Sequence, residues 1–425
     1  MRHIVSCLLL GVFLAGSAYA QNVIVGPDRE FREQTLSLPY AFYNEAFGAA
    51  VGYVQGKIGY PQKQAGILGT AMAGTQGAGM LFVMGRDIQL PLERLFLDPI
   101  FQIGYFSDLN VYTDGNPFYS DEQSGSNDSD EDNYIEGDGW DNFFRMRFKF
   151  LLPMGLGRDT IINTYVLDRG MLIDGQAGGL SWNPFKSGRT YLEIVPFYRS
   201  QDIDGDYLNT EQQTNGVDIA LFHDNRDFSL NPSTGHALRV QLSRDFGWFN
   251  SSDSWTVLQA EYDHYLSLGA TETFRQRVLA LDVWTVDTLS WDNEADGTVS
   301  NRPPAYAGAT LGGVWRMRAY PSQRFNDQAA IYYAAELRLM PEWNPFDNWP
   351  RFQEYAGIQW WQWVPFVEVG RVAPTWQLDE LHSDMQWDVG FGIRAFAKGA
   401  VIRIDSAASE EGFGIQMMVA QPFQF

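Results

Sequence analysis

The sequence predicts an all-β chain: a transmembrane antiparallel β-barrel of about sixteen strands, with an extracellular lid loop folded inward. Three observations predict it. Apolar and polar residues alternate with a period of two from end to end, as strands with one wet and one greasy face require. The alternating segments reach about ten residues or more, the length of a tilted bilayer crossing. The first twenty residues fit export: Arg2 and His3 precede the apolar run Ile4 to Leu14, and Ala18-Tyr19-Ala20 fits the small-x-small cleavage rule.

That leader is too short to span a bilayer as a helix, so a mature chain beginning near Gln21 is expected. Cys7 is the only cysteine and leaves with the leader. Disulfides, a thiol nucleophile and a thiolate metal site are thereby excluded. The 425 residues hold 52 acidic against 30 basic side chains, a net charge of −22. Such a surface cannot neutralise phosphates, which excludes nucleic acid as a partner.

The alternation is readable strand by strand. In Asn142 to Leu152, Phe143, Arg145, Arg147, Lys149 and Leu151 share a wet, basic face, opposite Phe144, Met146, Phe148, Phe150 and Leu152. Tyr191, Glu193, Val195, Phe197 and Arg199 oppose Leu192, Ile194, Pro196 and Tyr198. Gln259, Glu261 and Asp263 oppose Leu258, Ala260 and Tyr262, with His264 as an exception on the greasy side. Tyr332, Ala334, Glu336 and Arg338 oppose Ile331, Tyr333, Ala335, Leu337 and Leu339. The segments fall at about 41–55, 65–75, 78–90, 95–112, 141–153, 161–173, 188–202, 214–224, 235–247, 254–268, 273–287, 328–340, 354–371, 385–396, 399–407 and 412–424. A soluble sandwich would alternate too. Segment length, the leader, and indoles near segment ends (Trp343, Trp349, Trp360, Trp361, Trp363) favour a membrane barrel with lipid on the apolar side and water inside. An open edge in hydrocarbon would leave backbone groups unpaired, so the sheet must close.

Residues 21–40 are left as a short N-terminal segment and 41–425 as the barrel. Two connections are long. Residues 113–140 carry Asp128, Asp130, Glu131, Asp132, Glu136 and Asp138 among Gly and Asn, and read as a solvated loop. A calcium loop is the alternative, although the spacing departs from the helix-loop-helix calcium pattern. Residues 288–327 are the second. At the C-terminus, Phe413, Ile415, Met417, Val419, Gln421, Phe423 and Phe425 lie on one face. The final Phe423 and Phe425 are read as an assembly signal.

Several short motifs then occur in order. Asp224-Asn225-Arg226-Asp227 precedes Asn231-Pro232-Ser233-Thr234-Gly235. Leu311-Gly312-Gly313 leads to Met317-Arg318-Ala319-Tyr320-Pro321. Ala335-Glu336-Leu337-Arg338, Phe366-Val367-Glu368-Val369-Gly370, Gly390-Phe391-Gly392-Ile393-Arg394 and Ile402-Arg403-Ile404-Asp405 follow. This succession resembles the BamA/TamA superfamily, the bacterial surface antigen barrels, well over residues 215–425 and weakly over 41–214. The Arg318 motif resembles that family's V-R-G-F/Y lid signature, with Ala319 in place of Gly. The Glu368 motif resembles its F-x-D-x-G strand, with Glu in place of Asp. The resemblance implies an outer-membrane barrel that assists protein or lipid organisation. Its partners would be outer-membrane lipids, the barrel-assembly machinery during biogenesis, and a periplasmic partner or client. The short N-terminal segment implies a branch without the periplasmic POTRA domains of that family.

Physical reasoning reaches the same site. Glu368 shares a face with Phe366 and Gly370, opposite Val367 and Val369, which puts its carboxylate in the lumen, and Glu336 is also on a wet face. A loop folding inward brings Arg318 to these acids, and a guanidinium pairs with carboxylates bidentately. Arg318 with Glu368, and Glu336 as a second acid, is the expected lock. Gly370, Gly390 and Gly392 leave room for the loop, and Arg394 completes the lumen motif. No catalytic, cofactor or metal site is expected. His223-Asp224 sits inside a turn motif, and His236, His264 and His382 are isolated in sequence. A passive or gated pore for small polar solutes is the alternative, given the wet residues Arg145, Arg147, Lys149, Glu193, Arg199, Glu261, Asp263 and Arg403.

Overall fold

The computed structural model describes residues 22–44, 47–293, 299–418 and 423. The first strand, β1 (Asn22–Val25), stands apart from the main sheet. The wall begins with β2 (Gln34–Asn44), β3 (Gly48–Ile58), β4 (Gly66–Gly74) and β5 (Gly79–Arg86), which Ile88–Gln89 extends past Asp87. It continues through β6 (Leu95–Val111) and β7 (Ile135–Leu151). Two short strands, β8 (Asn163–Asp168) and β9 (Met171–Asp174), then leave the wall: β8 pairs with β1 in parallel, and β9 pairs with β8 antiparallel. The wall resumes with β10 (Arg189–Gly205), β11 (Thr210–Asp224), β12 (Gly235–Phe246), β13 (Ser254–Ser267) and β14 (Phe274–Thr288). A long connection holds the small pair β15 (Ala309–Leu311) and β16 (Phe325–Asp327). The wall is completed by β17 (Ala329–Pro341), β18 (Ile358–Ala373), β19 (Gln386–Ala397), β20 (Ala400–Ala408) and β21 (Phe413–Met418).

Among the described residues, sixteen wall strands, each antiparallel to its neighbour in the wall, form a sheet that closes into a barrel. The two ends of the sheet meet. The turn between β19 and β20 abuts the first hairpin, where a Cβ on Gly399 would lie 2.8 Å from Ile58 and 3.0 Å from Gln34. Strand β2 begins and β21 ends toward one rim, called here the terminal rim. The connections 112–134, 289–293, 299–328 and 374–385 lie at the far rim.

Exposure decides between sandwich and membrane barrel. Ile194 is 46% exposed, Leu221 51%, Val240 42% and Ile404 47%, whereas Glu193, Asp263, Glu336 and Arg394 are each 0% exposed. The greasy face is outside and the charged face inside, the inversion a bilayer-crossing barrel requires. No helix among the described residues is long and apolar enough to cross a membrane.

The lumen is filled in layers. Near the terminal rim, Met340, Trp360, Phe396 and Val401 project inward from the wall. Tyr165, Leu167, Ile24, Met171 and Leu172 of the β1–β8–β9 sheet pack against them, with Phe228 and Leu230 from the β11–β12 turn. The Trp360 indole N–H donates to the Gly170 carbonyl at 3.0 Å, and Tyr165 meets Phe228 edge-on at 4.8 Å. This small sheet is an apolar plug. Above it lies a layer of ion pairs, and above that the lid.

Three sequence expectations need correction. Segment 161–173 is not a wall strand but the β8–β9 plug. Its run Tyr165, Val166 and Leu167 is buried on both faces, so its apolar content reflects burial inside the barrel and not a lipid face. Segment 41–55 is two strands, β2 and β3, and the wall starts at Gln34, inside the expected N-terminal segment. Polar Gln34, Thr35 and Ser37 with Pro39 mask that first strand, since Pro within an alternating run weakens the strand signal. The expected count of sixteen therefore holds through two offsetting differences. Residues 113–140 are not a freely solvated loop. Strand β7 begins at Ile135, and Ser124, Asn127 and Asn133 are buried.

Candidate functional site: the lid and its ion-pair layer

Four adjacent strands supply the layer. Because lumen side chains recur every second residue, β17 projects Tyr332, Glu336 and Arg338, and β18 projects Phe366 and Glu368. Strand β19 projects Asp388 and Arg394, and β20 projects Arg403 and Asp405. The register sets Glu368 opposite Asp388 and Arg394 opposite Arg403. Unpaired, these charges would be costly to bury.

The lid supplies the missing cation. After β15 the chain turns inward through Gly312 (φ 107°) and Gly313 (φ 102°), and Met317 adopts a left-handed φ of 59° at zero exposure. The Gly313 N–H donates to the Tyr320 carbonyl at 3.1 Å and the Tyr320 N–H to the Met317 carbonyl at 3.1 Å, closing a tight loop tip. Arg318 at that tip is fully buried. Its Nε lies 3.1 Å from Glu368 Oε1, and its Nη1 lies 3.0 Å from Glu336 Oε1 and 2.8 Å from Asp405 Oδ2. Its guanidinium stacks 3.5 Å over the Phe366 ring. Its own backbone N–H donates to Glu368 Oε2 at 2.7 Å, and Gln416 of β21 donates to its carbonyl at 2.9 Å.

The structure thus brings Arg318, Glu336 and Glu368 together. Glu368 uses both oxygens, Oε2 for the Arg318 backbone N–H and Oε1 for the Arg318 Nε and the Tyr332 hydroxyl. Glu336 accepts from Arg394 (2.9 Å) and Arg338 (3.0 Å) in addition. The Ala319 N–H donates to Asp388 Oδ2 at 3.0 Å, and Ala319 does not take a positive φ, so it has no need of a glycine's freedom. Tyr320 donates to the Trp387 carbonyl at 3.1 Å.

The glycines divide. Gly370 faces the lid, where an added Cβ would lie 2.8 Å from Leu311. Gly390 and Gly392 instead make room for wall side chains that touch Arg318: a Cβ would come 2.1 Å from Phe366 and 2.2 Å from Asp405. Phe423 is not on the outer face with Phe413 and Ile415. It is buried, with the Arg338 guanidinium 5.5 Å from its ring, and Phe425 lies outside the described residues.

Sequence reasoning missed Asp388, Asp405 and Gln416, and three outer fastenings of the lid. Arg316 pairs with Glu261 at 2.6 Å and stacks on Trp284 at 4.1 Å. Arg403 donates to the Val314 carbonyl. Arg324 grips Glu411 through two bonds of 2.8 and 2.9 Å and donates to the Ser129 hydroxyl and carbonyl at 2.8 and 2.6 Å. Ser129 belongs to the acidic loop, so that loop forms a second cover. Asn326 N–H donates to the Gly125 carbonyl at 2.7 Å, and Asn127 donates to the Asp384 carbonyl at 3.0 Å. Among the described residues, the acids close enough to share a cation are Glu261, Asp263 and Asp282 of the lumen, not those of the loop.

No family model matches the sequence, and no curated protein matches it. Solved structures do match in shape. CdiB from Escherichia coli aligns over 89% of this chain and 59% of its own length, with TM-score 0.54 and 10% identity. CdiB from Acinetobacter baumannii aligns over 90% and 58%, with TM-score 0.50 and 8% identity. BamA from Haemophilus ducreyi lacking POTRA domains 1–3 aligns over 90% and 68%, with TM-score 0.46 and 8% identity. The chain spans under two thirds of either CdiB chain. With sixteen antiparallel staves among the described residues, an apolar outer wall and a shape shared with the two CdiB structures, this chain has the fold of the CdiB β-barrels.

Proposed function

We propose that this protein is a bacterial outer-membrane barrel that works through its wall, assisting insertion of proteins or organisation of lipids, and that its lumen is held shut. The observation that carries this reading is closure at two levels. A fully buried Arg318 on the lid is shared among Glu336, Glu368 and Asp405, and an apolar sheet stoppers the other mouth. A barrel built for passive solute flow has no use for either device. The lid motif supports the same reading, since it resembles the signature of a family of insertion and export barrels. The chemistry is packing and ion pairing, and no catalytic step is assigned.

The test is whether the full chain in vesicles speeds the folding of a second, unfolded outer-membrane barrel added from urea. Faster membrane insertion than with empty vesicles supports the proposal. An unchanged rate, together with unchanged redistribution of a fluorescent phospholipid between leaflets, contradicts it.

A gated pore is the second reading, favoured by the charged lumen. It requires both closures to open together.

A further inference from the structure

Segment 175–188 joins the plug to β10 by an unusual route. Ala177 packs in the plug cluster inside the barrel. The chain then climbs over the β11–β12 turn at the terminal rim. The Ala177 N–H donates to the Asp227 carbonyl at 3.0 Å and the Gly179 N–H to the Asn225 carbonyl at 2.7 Å. Asn225 donates to the Ser181 carbonyl at 2.8 Å and accepts from the Ser187 hydroxyl at 2.6 Å. The crossing is tight, since a Cβ on Gly178 would lie 2.2 Å from the Asn225 backbone.

Beyond the turn the segment emerges on the outside of the wall. Trp182 lies flat on two imidazoles, 4.5 Å from His236 at 15° and 5.2 Å from His264 at 26°. These histidines face each other across β12 and β13 and share the outer face with Leu238, Leu258 and Leu266. His264, the exception on the greasy face, therefore has a place: with His236 and Tyr262 it forms a polarisable seat for an indole. Only one face of Trp182 is used; it remains 67% exposed, with Leu180 at 58% and Phe185 at 63%.

We propose that Leu180, Trp182 and Phe185 are an anchor that inserts into the headgroup zone of a phospholipid leaflet and ties the plug to the membrane surface. This rests on the membrane-barrel reading above. Three features select a lipid surface as the occupant. Trp182, seated on His236 and His264, adjoins an outer wall on which Leu221 and Leu238 are exposed. Indoles at the same rim, Trp343 (52% exposed) and Trp349 (63%), mark the same level, and amphipathic rings favour that depth. The segment also lacks the acidity of the rest of the chain: no Asp or Glu occurs from Gly175 to Leu192, and Lys186 is exposed beside Phe185, a match to phosphate headgroups. Because the strap is bonded to the Asn225 turn at mid-length, lipid contact at Trp182 and packing at Ala177 are two ends of one element.

The experiment uses the full chain with Cys7→Ser, which removes the only native cysteine. A single cysteine at Leu180 or Leu221 carries an environment-sensitive fluorophore, in phosphatidylcholine vesicles with and without brominated acyl chains. Brominated lipid is expected to quench both labels several-fold. Trp182→Ala should abolish most of the quenching at position 180 and leave that at 221 intact. A quenched label at 221 with an unquenched one at 180 overturns the anchor and leaves the barrel reading standing. Unquenched labels at both positions overturn the membrane reading and the anchor with it. Quenching at 180 that survives Trp182→Ala overturns the role given to the indole.

Discussion

Arg318 is tolerable at zero exposure only because three carboxylates face it. Removing the cation takes from buried Glu368 the guanidinium it faces, the costlier half of a broken pair, while Glu336 keeps Arg338 and Arg394 and Asp405 keeps Arg403. Arg318→Ala should destabilise the folded barrel by about 3–5 kcal/mol. In detergent micelles, trypsin should cut the mutant faster at Arg316 and Arg324, and the heat-unfolding midpoint should fall. Lysine is a poor substitute, because a point charge cannot span Glu336, Glu368 and Asp405 while stacking on Phe366. Arg318→Lys should therefore recover only part of the resistance. Equal digestion of all three proteins would remove Arg318 from the account. Gly390 tests the same packing from behind. Gly390→Ala pushes a methyl into the Phe366 ring and should cost about 1–3 kcal/mol, read as a lower unfolding midpoint.

At the scale of elements, what was legible followed from solvent. Wall strands separate lipid from water, so their alternation is written residue by residue. Facing of Glu368, Glu336 and Arg145 could be read before any coordinates. The plug was not legible, because a short sheet buried on both faces has no period to read. Asp405 stands only as the end of the Ile402-Arg403-Ile404-Asp405 motif and Asp388 in no motif, because the contact of both with the lid depends on the path of residues 312–324, which local sequence does not set. Ala319 stands where the resembled lid signature has Gly, yet it takes no positive φ. The strain falls instead on Met317, one residue before Arg318. The plug has its own test. Trp360→Ala removes the stack on Phe396 (5.5 Å) and the bond to Gly170. Hydrogen exchange across 163–174 should then accelerate while β17 and β18 keep their protection. Unchanged exchange would mean that Trp360 does not hold the plug.

On the scale of the whole molecule, two closures at opposite mouths change what a deletion should do. Removing the lid alone leaves the plug, and removing the plug alone leaves the Arg318 layer. The measurement that tests this most directly is planar-bilayer conductance of four proteins: wild type, a deletion of 300–325, a replacement of 163–174 by a short Gly-Ser linker, and the double variant. Silence is expected from wild type, little or no current from either single change, and a steady large conductance from the double. Steady conductance from wild type would contradict the account.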